Sequence, residues 1–162
     1  MALNKFLPHL VVLPEDDANR QIANGVLLQP ALQAHRIQVL PPAGGWTKVV
    51  EKFSNAYVPT MQAYSERRVL LIIDFDKNVD SGLSQIKNAI PSQLSDRTFI
   101  LGALSKPEAV RASLGKHFEE IGKSMAQDCV EATRTVWNHD LLQHNQAELK
   151  RLIACVKPFL FA

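Results

Sequence analysis

The stretch that most constrains the fold is Arg68-Val-Leu-Leu-Ile-Ile73, an aliphatic run without polar alternation that stops abruptly at Asp74-Phe75-Asp76. A strand with one wet face alternates apolar and polar residues, whereas an unbroken run fits a strand covered on both faces, as in a parallel sheet between helical layers. Three more short apolar runs, at residues 9–13, 36–40 and 97–101, read as its partners. Between the runs, apolar residues recur at helical spacing: Ile22, Val26 and Leu27; Val49, Phe53, Ala56 and Tyr57; Leu83, Ile86 and Ile90. Pro59 predicts an end or a kink of the second helix near Val58, because proline lacks the N–H a helix needs and disfavours helical backbone just before it.

Alternation of strand and helix through the first two thirds of the chain predicts an α/β fold with a central, mostly parallel four-stranded sheet. Two further stripes, Phe118-Ile121-Met125-Cys129 and Leu149-Leu152-Ile153-Val156, predict extra C-terminal helices packed on that sheet, in an extension over about residues 115–162. With 46% apolar and 21% charged residues among 162, and no internal repeat or linker, the chain reads as one domain, residues 1–162. That balance, with only 7 Gly and 9 Pro, excludes disordered and collagen-like classes. No apolar run approaches the roughly 18 residues of a membrane span. The first residues lack an apolar core and a small-residue cleavage site, so a cytoplasmic location without a secretion signal is the expectation. Cys129 and Cys155 lack metal-ligand spacing and read as reduced thiols. The formal net charge of +2 is too small to imply nucleic acid by itself.

Right-handed crossovers put the C-terminal ends of parallel strands along one sheet edge, where folds of this kind place their ligands. Acidic residues gather at those ends: Pro14-Glu15-Asp16-Asp17 after the first strand, and Asp74-Phe75-Asp76 after the third, with Asn78 and Asp80 following. Carboxylates brought together repel one another unless a proton or a hard cation compensates. Mg²⁺ is the expected compensating ion, with Asp74 and Asp76 as leading ligands and Asp80 and Asp16 in second rank. Placement of Glu15, Asp16 and Asp17 in the first turn of a helix, where negative charge opposes the dipole, is the competing structural account. A calcium-loop pattern fails from either anchor: Val79 or Ser81 stands where Gly is needed, and Gln85 or Lys87 where Glu is needed. The segment Pro41-Pro-Ala-Gly-Gly45-Trp46 reads as a strand-to-helix loop, with a ligand cradle as the alternative.

On Glu15 after the first strand and Asp74-Phe75-Asp76 after a later one, the chain resembles a Toprim-type domain across about residues 8–110. That family is the metal-dependent module of topoisomerases, primases and OLD-type phage-defence nucleases. Asp16 stands where the family often has Gly, and the Gly-Gly-Trp loop has no counterpart in the family pattern. The resemblance implies metal-dependent phosphodiester chemistry on nucleic acid, as a small nuclease or nuclease subunit in genome maintenance or phage defence. It implies Asp74 and Asp76 as ligands of Mg²⁺ or Mn²⁺, Glu15 as a further ligand or general acid/base, and Lys77, Lys106 and Arg111 as groups near the phosphates. It also raises a partner ATPase or other subunit as an expected associate, and no membrane.

Other readings compete. The same fold could serve as a binding or regulatory module without turnover. A phosphoacceptor receiver domain would share the acids and Ser105-Lys106-Pro107, but Asp74 and Lys106 lie too close in sequence for the intervening βα unit. Ser105 and Glu108 also read as a helix-capping pair. A haloacid-dehalogenase-type phosphatase would place its D-x-D after the first strand. The stretch around His139 and His144 suggests a metal or H-N-H site. Its histidine spacing does not place both rings on one helical face, and Asp140/Gln143 with Asn145/Glu148 reads instead as a helix boundary.

Overall fold

The computed structural model describes residues 3–76 and 78–161. Its elements follow in the order β1 (His9–Pro14), α1 (Asp17–Val26), β2 (Ile37–Val39), α2 (Trp46–Lys52), α3 (Val58–Ala63), β3 (Arg67–Ile72), α4 (Val79–Ala89), β4 (Thr98–Leu101), α5 (Pro107–Leu114), α6 (Phe118–Glu131) and α7 (Gln146–Leu160). The four strands form one parallel sheet in the order β2-β1-β3-β4. Register is set by pairs such as Leu10↔Ile37, Val11↔Val69 and Val69↔Thr98. The expected α/β architecture with a parallel four-stranded sheet and C-terminal helices is therefore the observed one.

Burial explains the strand sequences. All six residues of β1 are buried, and successive side chains serve opposite layers. Leu10 and Val12 join Ile37, Leu70, Phe99 and Leu101 under α1, α5, α6 and α7. Val11 and Leu13 join Val69, Leu71, Ile73 and Ile100 under α2, α3 and α4. A strand packed on both faces has no position for a polar residue, which is why the run at β3 lacks alternation. Among the described residues, no helix is long and apolar enough to cross a membrane.

Of the two outcomes expected at Pro59, the helix is interrupted there and not ended. The helix does not end at Val58; it widens into a π-turn over Phe53–Tyr57, with Val58 N–H reaching the Phe53 carbonyl, and restarts as α3. Pro59 then lies in the first turn of α3, where a helix makes no use of its own N–H groups. The predicted capping pairs also differ. Lys106, not Ser105, precedes α5, and no side chain caps that helix. Asn145 precedes α7 as expected, but its side chain caps nothing there.

The α7 side chains serve the open edge of β4 instead. Asn145 accepts from Gly102 N–H (3.1 Å) and donates to the Gly102 carbonyl (2.9 Å). Glu148 accepts from Ile100 N–H (3.0 Å), and Arg151 donates to the Thr98 carbonyl (2.6 Å). Side chains thus occupy the backbone groups that another strand would otherwise pair with.

The order of strands creates the feature that matters for function. The chain leaves β1 for β2 on one side through α1, then returns across β1 to β3 through α2 and α3 on the opposite face of the sheet. The C-terminal ends of β1 and β3 therefore flank a topological switch point, the crevice where open α/β sheets bind ligands.

Candidate functional site

The acids after β1 and β3 meet at this switch point. The strands are adjacent and in register to their ends, Pro14 opposite Ile72, and Glu15 N–H continues the ladder to the Ile72 carbonyl at 2.8 Å. The chains then diverge. Asp16 adopts extended backbone as the N-cap of α1, its carboxylate accepting from Asn19 N–H at 2.9 Å. Asp17 lies in the first turn, paired with Arg20. Glu15 lies outside the helix, so the dipole accounts for Asp16 and Asp17 but not for Glu15. Its carboxylate turns across the crevice and accepts from Asp74 N–H at 2.6 Å.

Asp74 follows β3 after one residue, the buried Ile73, and is half-buried. Its carboxylate accepts from the Asn19 side chain at 3.2 Å. Burial, opposed by that hydrogen bond and reinforced by the charges of Asp16 and Glu15, pushes its pKa up to about 7. Glu15 is also held above its ordinary range, first by burial and then by Asp16, while the Asp74 and Trp46 backbone N–H groups oppose the shift. Two neighbouring carboxyl groups thus hold protons more tightly than free carboxylates do.

Phe75 separates the two aspartates and fixes their direction. It is buried, its ring meeting His144 edge-on at 5.4 Å, and its N–H reaches the Ala103 carbonyl at 3.1 Å. The next residue, Asp76, has φ of 48° and is exposed. Aspartate tolerates this left-handed conformation better than most residues, and here it turns the chain toward α4.

These residues border a cleft of about 430 Å³, lined by Glu15, Trp46, Asp74, Asp76, Asn78 and Lys106 among others. Three of the predicted acids, Glu15, Asp74 and Asp76, are therefore brought to one opening, and Lys106 with them. Asp80 is not: it stands exposed in the first turn of α4, off the lining. Arg111 is not either: its guanidinium lies over the Phe118 ring at 5.0 Å. Lys77 lies outside the described residues. Among the described residues, no three His, Cys, Asp or Glu side chains are grouped closely enough to hold a metal by themselves.

His139 and His144 are engaged elsewhere. The His139 ring bonds the Ser113 hydroxyl at 2.7 Å, and His144 Nε2 bonds the Gly102 carbonyl at 2.7 Å. Cys129 and Cys155 are free and half-buried; burial pushes the Cys129 thiol up to about 11.

Two contributors were not among the predicted site residues. Asn19 supplies a hydrogen bond to Asp74 from one turn inside α1, and only the phase of that helix reveals it. Trp46 stands in the cleft although large aromatic residues are usually core; its position after Gly44-Gly45 was the available signal. No family model matches the chain, and neither a curated protein nor a solved structure shows significant similarity to it.

Proposed function

We propose that this cleft is a divalent-cation site for phosphodiester chemistry on nucleic acid, and that the chain acts as a small Toprim-like nuclease or nuclease subunit. The observation that carries the reading is the meeting of Glu15 and Asp74 at the switch point, with a carboxyl group whose pKa reaches about 7. Burial is the first cause of that shift, and a cation at that position would offset the carboxylate repulsion that adds to it.

The donor set suits Mg²⁺ or Mn²⁺. Both take carboxylate and water oxygens, and Mg²⁺ commonly uses one or two carboxylates plus substrate phosphates in place of an all-protein cage. Asp74 and Asp76 would hold the ion, with Glu15 as a further ligand or as the proton carrier. When bound, such an ion polarises a phosphate oxygen and offsets charge on the departing oxyanion.

The chain's own groups divide the remaining work. Glu15, whose proton affinity burial raises, is suited to take up and return a proton. Lys106 offers positive charge to a phosphate in the same cleft. Phe75 keeps Asp74 and Asp76 on fixed backbone. Participation in genome maintenance or phage defence, with a partner subunit supplying further contacts, follows from the resemblance carried by Glu15 and Asp74-Phe75-Asp76.

Incubation of single-stranded and duplex DNA and RNA with Mn²⁺ or chelator tests the reading, with wild type beside Asp76→Ala. Expected is cleavage that needs the metal and falls by about 100-fold or more in the variant. Cleavage that survives Asp76→Ala would place the activity elsewhere. Binding without cleavage by the wild type would favour a non-catalytic module of the same fold.

A further inference from the structure

Trp46 is 41% exposed, although its helix is anchored in the core through Val49 and the π-turn that follows is anchored through Phe53. Trp46 borders the acidic cleft together with Asp74, Asp76 and Lys106. The loop that presents it is fixed to the strand carrying Glu15. Gly44 N–H and Gly45 N–H both donate to the Glu15 carbonyl, at 2.9 and 3.2 Å, and Ala43 N–H donates to the Pro14 carbonyl at 2.9 Å. Gly44 and Gly45 have φ of 96° and 135°, conformations that side-chain-bearing residues rarely adopt, so glycine is required where the loop turns onto Glu15. The loop that leads into Trp46 is therefore held against Glu15 by two glycines and three backbone hydrogen bonds.

A partly exposed indole at a cleft with carboxylates and a lysine matches the chemistry of one nucleotide unit. A base can stack on the indole while its phosphate lies toward Lys106 and the acidic pair. The cleft, about 430 Å³, lies within the roughly 300–1,000 Å³ usual for small-ligand sites. A base inside a duplex has both faces covered by its neighbours and must be unstacked at a cost of a few kcal/mol before it can use such a platform.

We infer that Trp46 is a stacking platform for an unpaired nucleobase, making single-stranded nucleic acid the preferred substrate of this cleft. The inference rests on the proposed phosphodiester function and specifies its substrate class. Stacking on one aromatic ring is worth about 1–3 kcal/mol per base, so a base-bearing strand should bind about tenfold more tightly than an abasic strand of equal charge.

The test is fluorescence anisotropy with labelled strands in Ca²⁺: an oligothymidylate of roughly ten nucleotides, its abasic counterpart and a duplex. Wild type is compared with Trp46→Ala and Trp46→Phe. Expected is an approximately tenfold preference of the wild type for the thymidylate strand over the other two. Trp46→Ala should lose that preference, Trp46→Phe should largely keep it, and the affinity for the abasic strand should stay unchanged. If Trp46→Ala retains the wild-type preference, or the duplex binds as tightly as the single strand, the stacking assignment is wrong while the phosphodiester reading stands. If the wild type binds no strand, the phosphodiester reading fails and the stacking assignment fails with it.

Discussion

Asp74 is placed where stability alone would not place it. Its carboxyl is half-buried beside Glu15 and Asp16, with the Asn19 side chain donating to it. An acid whose folded pKa is raised to about 7 from an ordinary 3.8 favours folding below the lower value. That contribution is lost as pH rises through about 7, where the folded state must carry the charge. Asp74→Asn should therefore leave Tm unchanged near pH 4 and raise it near pH 8. Screening by solvent at this partly exposed site reduces the gain to about 1 kcal/mol, or roughly 2–4 °C. Equal Tm differences at both pH values would show that the carboxyl is not strained in the folded state. Asp128 is the contrast. Burial alone would raise its pKa, but the Thr135 and Thr133 hydroxyls and the Val136 and Thr135 N–H groups outweigh burial and lower it. Asp74 and Glu15 could be picked out from sequence because each directly follows an apolar strand. Asp128 could not, since its partners lie in a loop whose path no periodicity announces.

Helix packing depends on two glycines that the apolar stripes did not reveal. α1 and α6 cross with backbones in close approach: a Cβ on Gly122 would lie 1.8 Å from the Ile22 carbonyl oxygen and 3.1 Å from Gly25 Cα. A Cβ on Gly25 would meet the Glu119 carbonyl oxygen at 2.0 Å. Backbone cannot yield there as a flexible side chain would, so Gly122→Ala should cost about 3 kcal/mol and lower Tm by roughly 6–12 °C. Thermal unfolding followed by far-ultraviolet circular dichroism measures this; an unchanged Tm would mean that the two helices are not packed as described. The stripes at Phe118, Ile121 and Met125 correctly placed α6 on the sheet because burial sets the period of apolar residues. They could not show how close its neighbour comes, since glycine leaves no mark on an apolar pattern. The same limit applies to α7. Asn145 and Glu148 have capping-box spacing, yet their side chains reach across to the β4 edge, a demand visible only once the sheet exists.

At the scale of the molecule, the strand order converts a local pattern into a site. Four apolar runs alternating with helical segments make a parallel sheet predictable, and chain direction puts every strand's C-terminal end on one edge. The sequence does not say which strands are neighbours. Only the order β2-β1-β3-β4 makes β1 and β3 adjacent and lets Glu15 reach Asp74 N–H at 2.6 Å. That adjacency separates Asp74 from Asp80: both follow β3, but Asp74 faces the crevice and Asp80 has passed onto the exposed turn of α4. It also explains why Trp46 belongs to the cleft, since its loop is tied to the Glu15 carbonyl.

The central claim, that this crevice takes a divalent cation, is tested most directly by Mn²⁺ binding followed by electron paramagnetic resonance at pH 8. Wild type, Asp74→Asn and Asp80→Asn are compared, each with and without a cleavage-resistant single strand. Predicted is weak binding by wild-type protein alone that tightens with the strand, is lost in Asp74→Asn, and is retained in Asp80→Asn. Equal Mn²⁺ binding by wild type and Asp74→Asn would contradict the account, because the carboxyl at its centre would then hold no ion.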